Sequence, residues 1–71
     1  MTVNYTFKNT SKNTVLLVHN FLGQQKIHTT MNQSSGATKV DVQDLKNGLY
    51  YLTLKNGSLL KTIKFVKEDM N

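Results

Sequence analysis

The chain contains no cysteine, no proline and no arginine. Without thiols it can form neither disulfides nor thiolate zinc sites, so burial alone must hold it together. Without arginine it lacks the side chain that reads guanine and phosphate bidentately, which counts against sequence-specific nucleic-acid readout. Carboxylates are scarce as well, at Asp41, Asp44, Glu68 and Asp69 only. No apolar run approaches the roughly 20 residues needed to cross a bilayer. The opening Met1-Thr2-Val3-Asn4-Tyr5 has no basic stretch followed by an apolar one, so it is not a signal peptide. The chain therefore either stays inside the cell or is a piece of something longer.

What is present is lysine, together with abundant asparagine, threonine and serine. Nine lysines set a formal charge of +5. An anionic partner is one reading of that charge; a solvated surface that keeps strand edges unpaired is the simpler one. At 71 residues the chain is one domain at most. A domain that short buries only about 60% of the surface its unfolded form exposes, which leaves no room for a deep cleft.

Alternation with period two dominates, the signature of half-buried strands. Val3, Tyr5 and Phe7 alternate with polar neighbours. Thr14 to Leu22 is the most apolar stretch, with Leu16 and Val18 on one face and Val15 and Leu17 on the other, as in a strand covered on both sides. Gly23 supplies a turn into the alternation of Ile27, Thr29 and Met31. Asn32 to Gly36 reads as a loop, and Val40 and Val42 as the inward residues of a further strand. Asn47-Gly48 leads into Leu49 to Lys55. Asn56-Gly57 between two apolar runs predicts a hairpin whose two turn residues both take positive φ. The last strand runs from Ser58 to about Lys67, and 68–71 is a frayed tail. The predicted fold is all-β, a small Ig-like antiparallel β-sandwich of six to seven strands over residues 1–67. Its core is predicted as Val3, Tyr5, Phe7, Leu16, Val18, Ile27, Val40, Val42, Leu45, Tyr50, Leu52, Leu54, Ile63 and Phe65.

Catalysis needs convergent titratable groups, and few are available. Glu68 and Asp69 sit in the tail. Asp41 and Asp44 flank a strand end, where Asp44 is expected to cap the turn toward Asn47-Gly48. His19 and His28 fall on adjacent strands and could face each other, but two imidazoles make a poor metal site, and ordinary strand histidines are the better reading. No phosphate loop, nucleophile elbow or metalloprotease signature occurs. Tyr50 and Tyr51 near Lys55, Lys61, Lys64 and Lys67 suggest an RNA-binding sheet, yet the two tyrosines alternate in face, as do Lys61 and Lys64. No enzyme, cofactor or metal is expected from these residues.

Three segments in order resemble one family. Val18-His19-Asn20-Phe21-Leu22-Gly23-Gln24 resembles a strand-and-turn signature I-Y-[DN]-x-x-G-[QRK]. The segment from Val40-Asp41-Val42 through Leu45 and Gly48 to Tyr50-Tyr51-Leu52 resembles a block with Asp, Leu, Gly and Tyr at those spacings. Lys64-Phe65-Val66-Lys67 resembles a terminal strand of two lysines around two apolar residues. Together they resemble the type A C-terminal sorting domain of the type IX secretion system, a relative of the Ig-like domain of flagellar hook-capping proteins. His19 replaces the usual aromatic residue. The usual Pro-Asn-Pro start and a first strand are missing, as in a fragment of a longer protein, and Glu68 to Asn71 extend past the usual end.

The resemblance implies a non-catalytic export signal for a cargo lying N-terminal to it. It further implies recognition in the periplasm by the outer-membrane translocation machinery, then removal by a sortase-like cysteine peptidase. The cargo would end at the cell surface, attached to anionic lipopolysaccharide, or be released. The recognition motif it implies comprises Gly23, Asp41, Leu45, Gly48, Tyr50, Lys61, Lys64 and Lys67, with the strand edge of the last two strands read by β-augmentation. The rival readings are an Ig-like structural or binding module without an export role, and a basic nucleic-acid-binding β-domain.

Overall fold

The computed structural model describes residues 1–8 and 13–68. Its strands are β1 (Thr2–Thr6), β2 (Thr14–Asn20), β3 (Gln25–Met31), β4 (Ser35–Lys39), β5 (Gly48–Asn56) and β6 (Leu59–Lys67). They form two antiparallel sheets, a four-stranded one ordered β3-β2-β5-β6 and a two-stranded one pairing β1 with β4. The all-β two-sheet architecture is the one the alternation predicts. Among the described residues no helix is long and apolar enough to cross a membrane. Of the expected frayed tail, 69–71 lie outside the described residues.

The core lies between the sheets. Leu16 and Val18 of β2 and Tyr50, Leu52 and Leu54 of β5 face Val3, Tyr5 and Phe7, with Val40 closing the group. Each is buried, and burying such a side chain contributes about 1.5–3 kcal/mol. Ile27, Met31, Val42, Leu45 and Phe65 pack half-buried around them. The opposite face of the four-stranded sheet carries Val15, Leu17 and Tyr51, all half-buried. Among the described residues no further sheet covers it, so β2 is covered on one side and not on both.

Four expectations change. The fourth strand is Ser35–Lys39, one segment earlier than the Val40–Val42 alternation suggests. β1 decides this: Thr2 pairs with Lys39 and Thr6 with Ser35, and the Met1–Val40 backbone exchange (2.7 and 3.0 Å) ends the ladder. Gly36 fits there because its φ of +148° is one that side-chain-bearing residues rarely adopt, and a Cβ would lie only 2.8 Å from Gln33 Oε1. Second, β2 stops at Asn20, and Phe21 and Leu22 form the turn with both side chains about two-thirds exposed. Third, the β5–β6 hairpin turns one residue later than expected, through Gly57-Ser58. Asn56 shares the inward parity of Leu52 and Leu54, so it stays in the strand, buried, its Nδ2 donating to Thr14 Oγ1 (3.0 Å). Thr14 Oγ1 in turn donates to the Gln33 carbonyl (2.7 Å), tying three chain segments together at that end. Fourth, Ile63 is not core: it points inward yet is 51% exposed.

Candidate recognition site

Two of the sequence blocks meet at one end of the sandwich. The β2–β3 turn is built by Asn20. Its Oδ1 accepts from the backbone N–H groups of Leu22 (3.0 Å) and Gln24 (2.9 Å), while its Nδ2 donates to Gln24 Oε1 (2.8 Å). Backbone bonds from Asn20 N to Gln24 O and from Gly23 N to Asn20 O, both 3.0 Å, complete the turn. Asparagine suits this position because its short amide mimics a backbone group. Gly23 takes φ +84° with no atom within 4 Å of where a Cβ would sit, so the glycine requirement there is conformational and not one of space.

The second block runs from the end of β4 into β5. Asp41 Oδ1 accepts from Gln43 N–H (2.9 Å), and Leu45 N–H bonds the Val42 carbonyl (3.1 Å). The capping bond in this stretch thus belongs to Asp41, where the sequence suggested Asp44. These turns press Leu45 half-buried against the core. Gly48 opens β5 at φ +153°, a value side-chain-bearing residues rarely adopt. Tyr50 is buried, its ring stacked on Phe65 (centroids 5.6 Å apart) and its hydroxyl donating 2.7 Å to the Lys46 carbonyl. That one bond fastens the loop to the strand that follows it.

Between the Asn20–Gln24 turn and the Asp44–Tyr50 segment lies an open cavity of about 380 Å³, with Phe21, Lys26 and Lys46 on its walls. The residues singled out for recognition divide accordingly. Gly23, Leu45, Gly48 and Tyr50 shape this end, and Asp41 orders the loop beside it. Lys67 pairs with Gly48 in the β5–β6 register and so belongs to the same end. Lys61 lies six residues away, roughly 20 Å along the strand. It is on the inward parity, with its Nζ 5.6 Å from the centre of the Phe7 ring. Lys64 points to the outer face opposite Tyr51. The three lysines therefore line one strand without forming one patch.

The histidines do not meet. A register shift after Val18 sets His19 opposite Gln25, while His28 stands opposite Leu17. His19 stacks instead on Tyr51, centroids 5.6 Å apart and 23° between planes. The imidazole thus keeps a flat ring at the place where the sorting-domain pattern has an aromatic one. Sequence reasoning missed Asn20 as the organiser of its turn, although Asn followed three residues later by Gly is a turn signal. It also missed the exposed pair Phe21 and Leu22.

Fold and ordered end together define a small all-β sandwich module. The chain belongs to the secretion system C-terminal sorting domain family, which it matches over residues 1–68. No curated protein and no solved structure matches it significantly. A domain of this family is the C-terminal sorting signal of type IX secretion. It works with the secretion machinery on behalf of a cargo lying N-terminal to it, and directs that cargo to the cell surface or out of the cell.

Proposed function

We propose that this domain acts without chemistry of its own, as a folded address read in the periplasm by the outer-membrane translocation machinery. The carrying observation is the family match across residues 1–68, nearly the whole chain. The structure adds a reason why the address is read folded: the matched residues are distant in sequence and meet only in the sandwich. Gly23, Asp41, Leu45, Gly48 and Tyr50 serve mainly to fix its end. The surface the machinery touches is then the last two strands, 49–67, where Lys61, Lys64 and Lys67 lie on a strand that, among the described residues, bonds to β5 alone. Lysines on such an edge attract an acidic partner while discouraging pairing between copies.

After passage, a sortase-like cysteine peptidase removes the domain, and the cargo is released or joined to anionic lipopolysaccharide. The test is a fusion of residues 1–71 behind a signal peptide and a fluorescent cargo, expressed in a host with the secretion system. Cargo should reach the cell surface or the medium, and appear shortened by the mass of the domain. Cargo held in the periplasm with the domain folded would refute the reading. Cargo exported at full length would refute only the peptidase step.

A further inference from the structure

The inner face of β6 is left open. Ile63 stands directly opposite Leu52 in the β5–β6 register, so both side chains point to the same side of the sheet. Leu52 is 2% exposed and Ile63 51%. Among the described residues only two strands cover a sheet of four, and both outer strands are left partly open: Thr29 of β3, opposite the buried Leu16, is exposed, as is Ile63 of β6. At β6 the result is a groove of about 280 Å³, walled by residues 1–4 on one side and by Leu52, Ile63 and Phe65 on the other. No residue of β4 lines it, so the edge of β1 that is not bonded to β4 faces β6.

Among the described residues both strands bordering the groove are sheet edges, β1 bonded to β4 alone and β6 to β5 alone. Each edge offers backbone donors and acceptors to an incoming chain. An apolar groove between two such edges has the geometry of strand addition, in which the main chain supplies affinity and alternate side chains supply specificity. The charge is one-sided. Of the three lysines of β6, Lys64 faces away while Lys61 and Lys67 keep the inward parity of Ile63 and Phe65, and β1 carries no charged side chain. A second copy of this chain would bring its own +5 charge to the same place, so self-pairing is opposed. A lipid surface would leave the backbone edges unused.

We propose that this groove receives an extended acidic segment of a partner protein. The segment adds to the free edge of β1, lays aliphatic side chains over Ile63 and Phe65, and sets a carboxylate beside Lys61. It thereby acts as the missing third strand of the smaller sheet. This inference goes beyond the sorting role and requires only the folded domain.

The test uses the full chain and two short synthetic peptides of alternating valine and threonine, one carrying glutamates and the other lysines at the same positions. The glutamate peptide should bind, protecting the β1 amides from hydrogen exchange and shifting the Ile63 methyl resonances. Ile63→Ser should weaken binding about tenfold, the loss expected for one aliphatic contact, and adds no charge that would itself attract the glutamates. It should do so without destabilising the domain, because the position is already half in water. Ile63→Thr, milder still, should weaken binding a few-fold (roughly half the effect on a logarithmic scale) and serves if the serine variant unfolds. Equal binding by the lysine peptide would overturn the proposal. So would protection confined to β6, or unchanged affinity in both Ile63 variants. Failure of the export fusion leaves this groove untouched, and failure of peptide binding leaves the export reading untouched, so the two are separable.

Discussion

Leu52 and Ile63 are neighbours on one face of one sheet, joined through the same ladder, and both are branched aliphatic residues of equal size. One is sealed and the other stands half in water. Strand parity is identical for the two; what differs is the layer above. Val3, Tyr5 and Leu52 belong to one buried cluster, and Ile63 is left outside it. Pointing inward is thus a property of the strand, whereas being buried depends on how many strands the opposite sheet supplies. A two-over-four sandwich therefore has a finished centre at β2 and β5 and open flanks at β3 and β6, and it is β6 that leaves a branched aliphatic residue in the open.

The sharpest way to break this comparison is to shorten both residues. Leu52→Ala should cost about 3 kcal/mol, the transfer loss plus the cavity left behind. For a domain whose whole stability is on the order of 4–10 kcal/mol, that is a loss visible at once in urea unfolding. A smaller effect is expected one row along, where Tyr50 packs on Phe65. Tyr50→Phe keeps the stacked ring and removes only the bond to the Lys46 carbonyl, so about 1 kcal/mol should be lost. Hydrogen exchange in the 41–47 loop should quicken at the same time. The smallest effect belongs to Ile63→Ala, within about 0.5 kcal/mol of the native chain by the same urea measurement. Were it to match Leu52→Ala, the open flank at β6 would be covered in solution and the comparison would fall.

Much of this fold is written in alternation. β1, β2, β3, β5 and β6 all show it, and Leu16, Val18, Leu52 and Leu54 fall inside as their parity requires. β4 does not show it. Ser35-Gly36-Ala37-Thr38-Lys39 has no apolar period, and it becomes a strand because it pairs with β1, with Gly36 taking the φ of +148° its place opposite Tyr5 requires. The nearby Val40 and Val42 mimic the pattern while packing from a loop. The hairpin at 56–58 was legible as a hairpin, but its phase was set by the inward face of β5 and not by the Asn-Gly pair. At the candidate site, the spacing of Gly23, Asp41, Leu45, Gly48 and Tyr50 was visible in the sequence. Their meeting, and the part Asn20 plays in it, was not, because both depend on contacts between segments far apart in the chain. The exposure of Ile63 lay furthest from view, since no feature of β6 itself records the width of the sheet facing it.

The two Asn-Gly pairs of this chain will age differently. Asparagine before glycine is the dipeptide most prone to cyclise and lose its side-chain amide, because the following nitrogen is unhindered. Asn47, exposed in the loop before β5, presents that peptide bond to water. Asn56 does not: its amide is committed to Thr14 inside the sandwich, and hydrolysis there would leave a carboxylate in a dry site. The strap that ties β2, β5 and the Gln33 loop together therefore also protects the chain from its own slow chemistry, and stored protein should gain its first new negative charge at position 47.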